Sequence, residues 1–196
     1  PEPIIKHMDA KILIRVEQLY RYYGHHLAVE DINFQLSQGE VLGFLGPNGA
    51  GKSTTMQMIT GNLAPSAGRV CINDIDLLDT PKKAKAEIGY LPEQPPVYRD
   101  LTVDEYLHYC ARLHRVSSNQ RGTCVTRARK RCGLTGVGRR LIGNLSKGYQ
   151  QRVGIAQAIL HNPAVVVLDE PTAGLDPNQI RDIRTLIREL GESHGI

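Results

Sequence analysis

The sequence predicts an α/β fold: a mostly parallel sheet with flanking helices, an antiparallel β region on its N-terminal side, and a helical subdomain inserted late in the chain. Three observations predict it. Val41–Leu45 and Ala164–Leu168 are continuous apolar runs of strand length, as strands covered on both faces require. Apolar and polar residues alternate over Ile12–Leu19 and again at Ile32, Phe34 and Leu36, the period of a strand with one wet face. Apolar residues fall at helical spacing over Thr102–Val116 and at Ile180, Ile183, Ile187 and Leu190.

Taken in order, residues 1–10 hold two prolines and no sustained period, and read as a tail. Two strands follow, joined by a loop, and Ser37-Gln38-Gly39 turns the chain into Val41–Leu45. That run ends in a glycine-rich turn, after which a helix begins near Lys52. Arg69–Asn73 and Ile88–Leu91 read as further strands, and a helix-rich stretch extends from Thr102 to about Leu160. Asn162-Pro163 breaks it before the strand Ala164–Leu168 and an amphipathic last helix. The division predicted is a core of residues 11–97 and 161–196, with residues 98–160 as the helical subdomain.

Composition sets the outer bounds. With 41% hydrophobic and 22% charged residues in 196, the chain has ordinary globular usage, which excludes disorder, collagen and coiled coil. The apolar runs are far shorter than the roughly 18 residues of a membrane-spanning helix, and no signal-peptide pattern opens the chain, so the expectation is a cytoplasmic location. Cys71, Cys110, Cys124 and Cys132 show no CxxC spacing and read as reduced thiols; His108, Cys110 and His114 lack a fourth ligand at zinc spacing. Charge is uneven. Eleven Lys and Arg residues and no Asp or Glu lie between Glu105 and Asp169; the other 13 cations and all 20 acids give the rest of the chain −7. A solvated helical face and a contact with an anionic partner explain this equally well. Arg127–Arg131 has no interleaved aromatics, so direct nucleic-acid binding is not expected.

The chemistry lies in two segments. Gly46-Pro47-Asn48-Gly49-Ala50-Gly51-Lys52-Ser53 satisfies G-x-x-x-x-G-K-[ST] between an apolar strand and a helix. Glycines leave the backbone N–H groups free to wrap a phosphate, and the helix N-terminus favours the anion. Lys52 reaches the β- and γ-phosphates, Ser53 offers its hydroxyl to Mg²⁺, and Thr54 adds a phosphate contact. The fold class this specifies is a P-loop NTPase core. A metal-side carboxylate and a base for water are the remaining needs, and Val165–Leu168 followed by Asp169 and Glu170 supplies both. Asp169 serves Mg²⁺. Glu170, where the strand gives way to Pro171, polarises the attacking water.

With these two segments and four others in the same order, the sequence resembles the nucleotide-binding domain of ABC transporters, in the subgroup exporting drugs, polysaccharides or gliding-motility components. Residues 46–53 and 165–170 match Walker A and Walker B. Leu145-Ser146-Lys147-Gly148-Tyr149-Gln150-Gln151-Arg152 resembles the family signature, and Pro171–Pro177 the D-loop. Gln94 stands at the Q-loop position and Tyr23, before Gly24, at that of the aromatic that stacks on adenine. Tyr20 and Tyr22 crowd the same strand, and packing accounts for any one of the three.

The resemblance implies a set of roles. ATP with Mg²⁺ is bound between two such domains paired head to tail, the partner being an identical or a different copy. Each nucleotide is held by Tyr23 and Gly46–Thr54 of one copy and Ser146, Lys147 and Gly148 of the other. Gln94 joins Ser53 and Asp169 near the metal and senses a separate transmembrane permease, and Asp176 couples the two sites. Hydrolysis reopens the pair on the inner face of the cell membrane, where the domain is peripheral. Ser146 and Gly148 suit a second anion-binding helix start as well as an ordinary helix cap. The commonest signature is Leu-Ser-Gly-Gly-Gln, so Lys147 and Tyr149 depart from it.

An absence accompanies these departures. In the family a histidine contacting the γ-phosphate follows the strand after the D-loop helix, and His194 precedes that strand. The expectation is a C-terminally truncated core with an opening in the middle of its sheet. Three alternatives stay open: a soluble ABC ATPase acting on the ribosome or nucleic acid, an inactive nucleotide-binding piece, and a guanine-nucleotide switch, the last lacking an N-K-x-D sequence.

Overall fold

The computed structural model describes residues 11–196, so the predicted tail at 1–10 lies outside the described residues. Strands β1 (Ile12–Tyr23) and β2 (His26–Ser37) form a hairpin turned at Gly24-His25. Both are longer than their alternating cores because bulges absorb the breaks in period, with Gln18 and Asp31 at positive φ. β3 (Ala67–Ile72) pairs antiparallel with β1, setting Ile14 opposite Ile72 and Val16 opposite Val70. β4 (Ile75–Asp76) completes the sheet, in the order β2-β1-β3-β4. Its inner face, Leu13, Val16, Leu19, Val29 and Val70, is buried with Met58 and Ile59 of helix α1 (Lys52–Ile59).

The second sheet is parallel. β5 (Ile88–Leu91) runs beside β6 (Val165–Leu168) in the register Ile88–Val165 to Leu91–Leu168. Val165 belongs to the first core and Val166 to a second, so β6 divides them; this is why its sequence is apolar throughout. The second core joins Tyr106 and Leu107 of α3 (Val103–Leu113), Val125 of α4 (Ser118–Arg131), Ile155 of α5 (Lys147–Ile159) and Ile183 of α6 (Pro177–Gly191). A short helix, α2 (Pro81–Ala86), precedes β5 and has too few apolar residues to show a period in the sequence.

One expected strand is corrected. Val41–Leu45 has no ladder: Val41 is 52% exposed and Leu45 96%. A strand buried on both faces needs a ladder along its length, and among the described residues only Ile196 bonds here, accepting from Leu42 N–H (2.7 Å) and donating to Glu40 (3.0 Å). Gly195 bridges in parallel to Val165 on its other side. Beyond these two residues the expected opening is present, as a groove of about 530 Å³ with Val41–Leu45 on one side and Leu168–Thr172 on the other.

The basic helical stretch is partly neutralised within the fold. Arg129 pairs with Asp104 (2.8 Å), Arg152 with Asp182 (3.4 Å), and Arg131 reaches Ser193 and His194. α3 begins in a capping box: Thr102 Oγ1 accepts from Glu105 N–H (3.2 Å) and Glu105 Oε2 accepts from Thr102 N–H (2.8 Å). Thr102→Ala is expected to lower the unfolding free energy by about 1 kcal/mol, read from the urea midpoint; an unchanged midpoint refutes the cap's contribution.

Candidate nucleotide site

The loop from Gly46 to Ser53 takes its shape from glycine. Gly51 has φ 80°, and a Cβ there would lie 2.7 Å from the Ala28 carbonyl oxygen, so a side chain is barred by conformation and by space. Ala50 N–H donates to Pro47 (3.2 Å) and closes the turn. Gly51 caps α1 without a side-chain bond, which leaves the first helical N–H groups to the loop. Lys52 folds back over it, Nζ donating to the carbonyls of Gly46 (2.6 Å) and Pro47 (2.8 Å).

One cavity of about 510 Å³ gathers the parts that the sequence spreads over 150 positions. Tyr23 and His26 line it together with Asn48, Gly49, Gly51, Lys52, Ser53, Thr54 and Glu170. Of the crowded tyrosines only Tyr23 is in this lining, 46% exposed, with the Arg21 guanidinium 4.7 Å from its ring centroid. Lys52, Ser53 and Glu170 also line the neighbouring groove, where Asp169 joins them. Asp169 N–H donates to Leu91 (2.9 Å), tying the residue to the end of the parallel sheet. Burial first, then the charges of Glu170 and Glu93, push its carboxyl above the usual range. Crowded carboxylates beside a serine hydroxyl are a hard oxygen donor set short of positive charge, and that fits Mg²⁺, which completes its shell with phosphate oxygens and water. Among the described residues no three His, Cys, Asp or Glu side chains could hold a metal without such help.

The other predicted residues lie elsewhere. Gln94 lines a separate cavity of about 630 Å³ with Glu93, Lys147, Gln150 and Ala173, so the fold does not bring it into the lining that holds Ser53. Ser146 is the N-cap of α5, its Oγ accepting from Tyr149 N–H (3.4 Å), and with Gly148 it opens on a third cavity of about 220 Å³. Asp176 caps α6, accepting from Asn178 and Gln179 N–H at 3.0 Å each. His194 is buried: Nδ1–H donates to Pro163 (2.7 Å) and Nε2 accepts from Arg131 (3.0 Å), which occupies both ring nitrogens. Cys110 and Cys132 are pushed up by burial, to about 11 and about 12, and stay thiols at neutral pH.

Sequence reasoning missed His26 and Glu93. The hairpin register pairs His26 with Tyr23, and the parallel register pairs Leu91 with Leu168, which brings Glu93 toward Asp169. Pairing, not residue type, was the signal.

A glycine-shaped loop at a helix start, with a carboxylate pair at the end of a parallel strand, defines the P-loop class of nucleotide-binding proteins. Residues 29–173 match the family described as ABC transporter, and the chain belongs to that family. It is 35% identical over 94% of its length to the bacitracin transport ATP-binding protein BcrA of Bacillus licheniformis, and 38% identical over 91% to the ABC transporter ATP-binding protein YxlF of Bacillus subtilis. It spans 59% of each of those relatives. Among solved structures it resembles cbiO1 of Clostridium perfringens, described as part of the ABC transporter complex cbiONQ, with TM-score 0.85, 31% identity and coverage of 95% of this chain and 76% of that one.

Proposed function

We propose that this chain forms the ATP-binding and ATP-hydrolysing part of a subunit that energises a membrane exporter through nucleotide-driven head-to-tail pairing. The observation carrying the proposal is the single cavity shared by Tyr23, the 48–54 loop and Glu170. Tyr23 offers its ring to adenine. The N–H groups from Asn48 to Thr54 hold the phosphates, and Lys52 exchanges the carbonyls of Gly46 and Pro47 for phosphate oxygens. Ser53 and Asp169, which line one groove, would hold Mg²⁺, whose charge would offset that of the phosphates. Glu170 takes the proton of the attacking water.

The cavity at Ser146 and Gly148 shares no lining residue with the cavity at Tyr23, as expected if signature and P-loop meet only across two copies. A transport role is supported by the relative named for bacitracin transport, and a permease partner by the solved structure described as part of a transporter complex. No helix among the described residues is long and apolar enough to cross a membrane. In this reading the spanning element is a separate permease, the chain lies on the inner face of the membrane, and no nucleic-acid partner is involved. Lys52→Ala in the full-length protein is expected to weaken Mg·ATP binding by about ten- to a hundredfold, as befits loss of a charged hydrogen bond. Fluorescent-nucleotide titration with ATP and GTP as competitors reads this; unchanged affinity, or preference for GTP, refutes the assignment.

A further inference from the structure

Lys147 is the first residue of α5, where the positive end of the helix dipole makes a cation least favourable. Its side chain has a defined course from there. Cδ, Cε and Nζ pass over Gly174, and Nζ fills the space that a Cβ on that glycine would take. Gly174 has φ 66°, a left-handed backbone conformation that favours glycine and leaves the lysine a bare backbone to cross. The next residue makes a second contact: Gly148 is buried, and a Cβ on it would lie 2.9 Å from Gln179 Cδ, so the starts of α5 and α6 are in direct contact. The Asp176 cap ties Gln179 back to the loop. The signature turn therefore packs against the 171–176 loop at Gly174 and against the helix that follows it at Gln179.

That loop begins at Glu170, which itself holds φ 45°. Ala173 N–H donates to Glu170 (3.0 Å) and Leu175 N–H to Thr172 (3.3 Å), two consecutive turns running from the base to Gly174. We infer that Lys147 is a positioning residue, a strap that makes the signature turn and the Glu170 loop move as one body. Engagement of Ser146–Gly148 by the nucleotide of the other copy then sets the position of Glu170 in its own copy. This rests on the composite site proposed above.

Hydrogen–deuterium exchange of the nucleotide-free, full-length protein tests the strap. In Lys147→Ala the Ala173 and Leu175 amides are expected to exchange about tenfold faster than in the parent, with Lys147→Arg restoring protection and the α1 amides unchanged. The same Ala variant is expected to lower kcat about tenfold with KM for ATP nearly constant, because a positioning residue touches no phosphate. Unaltered exchange at Ala173 and Leu175 overturns the strap, and a raised KM with unaltered exchange makes Lys147 a nucleotide ligand instead. If the parent protein hydrolyses no ATP, the composite-site reading fails, while the exchange measurement still decides the strap.

Discussion

Full-length protein carrying Glu170→Gln is expected to bind Mg·ATP within a few-fold of the parent while steady-state hydrolysis falls by about 10²- to 10⁴-fold, the range for loss of a general base. The substitution keeps the length and shape of the side chain, so the turn closed by Ala173 N–H on the Glu170 carbonyl is retained. It removes one of the two charges that, after burial, hold the Asp169 carboxyl above its usual range. Ionisation of Asp169 is therefore eased in the variant, which leaves the metal-binding role proposed for it undisturbed, and binding is expected to survive. What is lost is the acceptor for a water proton at the edge of the cavity shared by Tyr23 and the loop. Single-turnover hydrolysis and nucleotide titration on the same sample separate the two effects. Turnover within tenfold of the parent would remove Glu170 as the base.

The parts of this site that sequence made legible are those whose chemistry is local. Gly49, Gly51, Lys52 and Ser53 act through a loop of eight residues, and the loop's spacing contains its geometry. Asp169 and Glu170 were legible because four apolar residues in β6 demand burial and the carboxylates that follow must come out at its end. What was not legible depends on pairing between distant segments. Val41–Leu45 has the composition of a central strand, yet among the described residues its only backbone hydrogen bond to a neighbouring segment is to Ile196, and composition carries no information about a neighbour. Gln94 lines a cavity with Lys147 and Ala173, and no spacing in the sequence distinguishes that cavity from the one at Ser53. Lys147 carries a legible charge, whereas its course over Gly174 depends on how two distant loops pack.

Stability of the chain is expected to fall steeply as pH drops from about 6.5 to about 4, with His161 as the largest single contributor. Its Nε2–H donates to the Ile88 carbonyl (3.1 Å), which leaves the lone pair on Nδ1, a buried atom without a partner. The His114 ring stacks on it, centroids 3.9 Å apart and planes within 6°. Burial first, then His114, push His161 down from 6.5 to about 4; burial also lowers His114, and burial with the Arg131 charge lowers His194. Above pH 6.5 both folded and unfolded chains are neutral at these rings, and the stability is fully present. Below it the unfolded chain takes up protons that the folded chain refuses until about pH 4, so the free energy of unfolding falls with pH. For His161 alone the loss across that window is about 3 kcal/mol, at 1.36 kcal/mol for each pH unit. Carboxyls held low, such as Asp76 and Glu105, lose their stabilisation in the same direction at the acid end, so the parent curve by itself does not isolate the histidine. His161→Gln does: its amide can still donate to Ile88 and cannot titrate. Urea midpoints of parent and variant are expected to run parallel above pH 7 and to converge or cross as the parent weakens toward pH 4.5; curves that stay parallel throughout would show that the stacked pair does not set the acid limit.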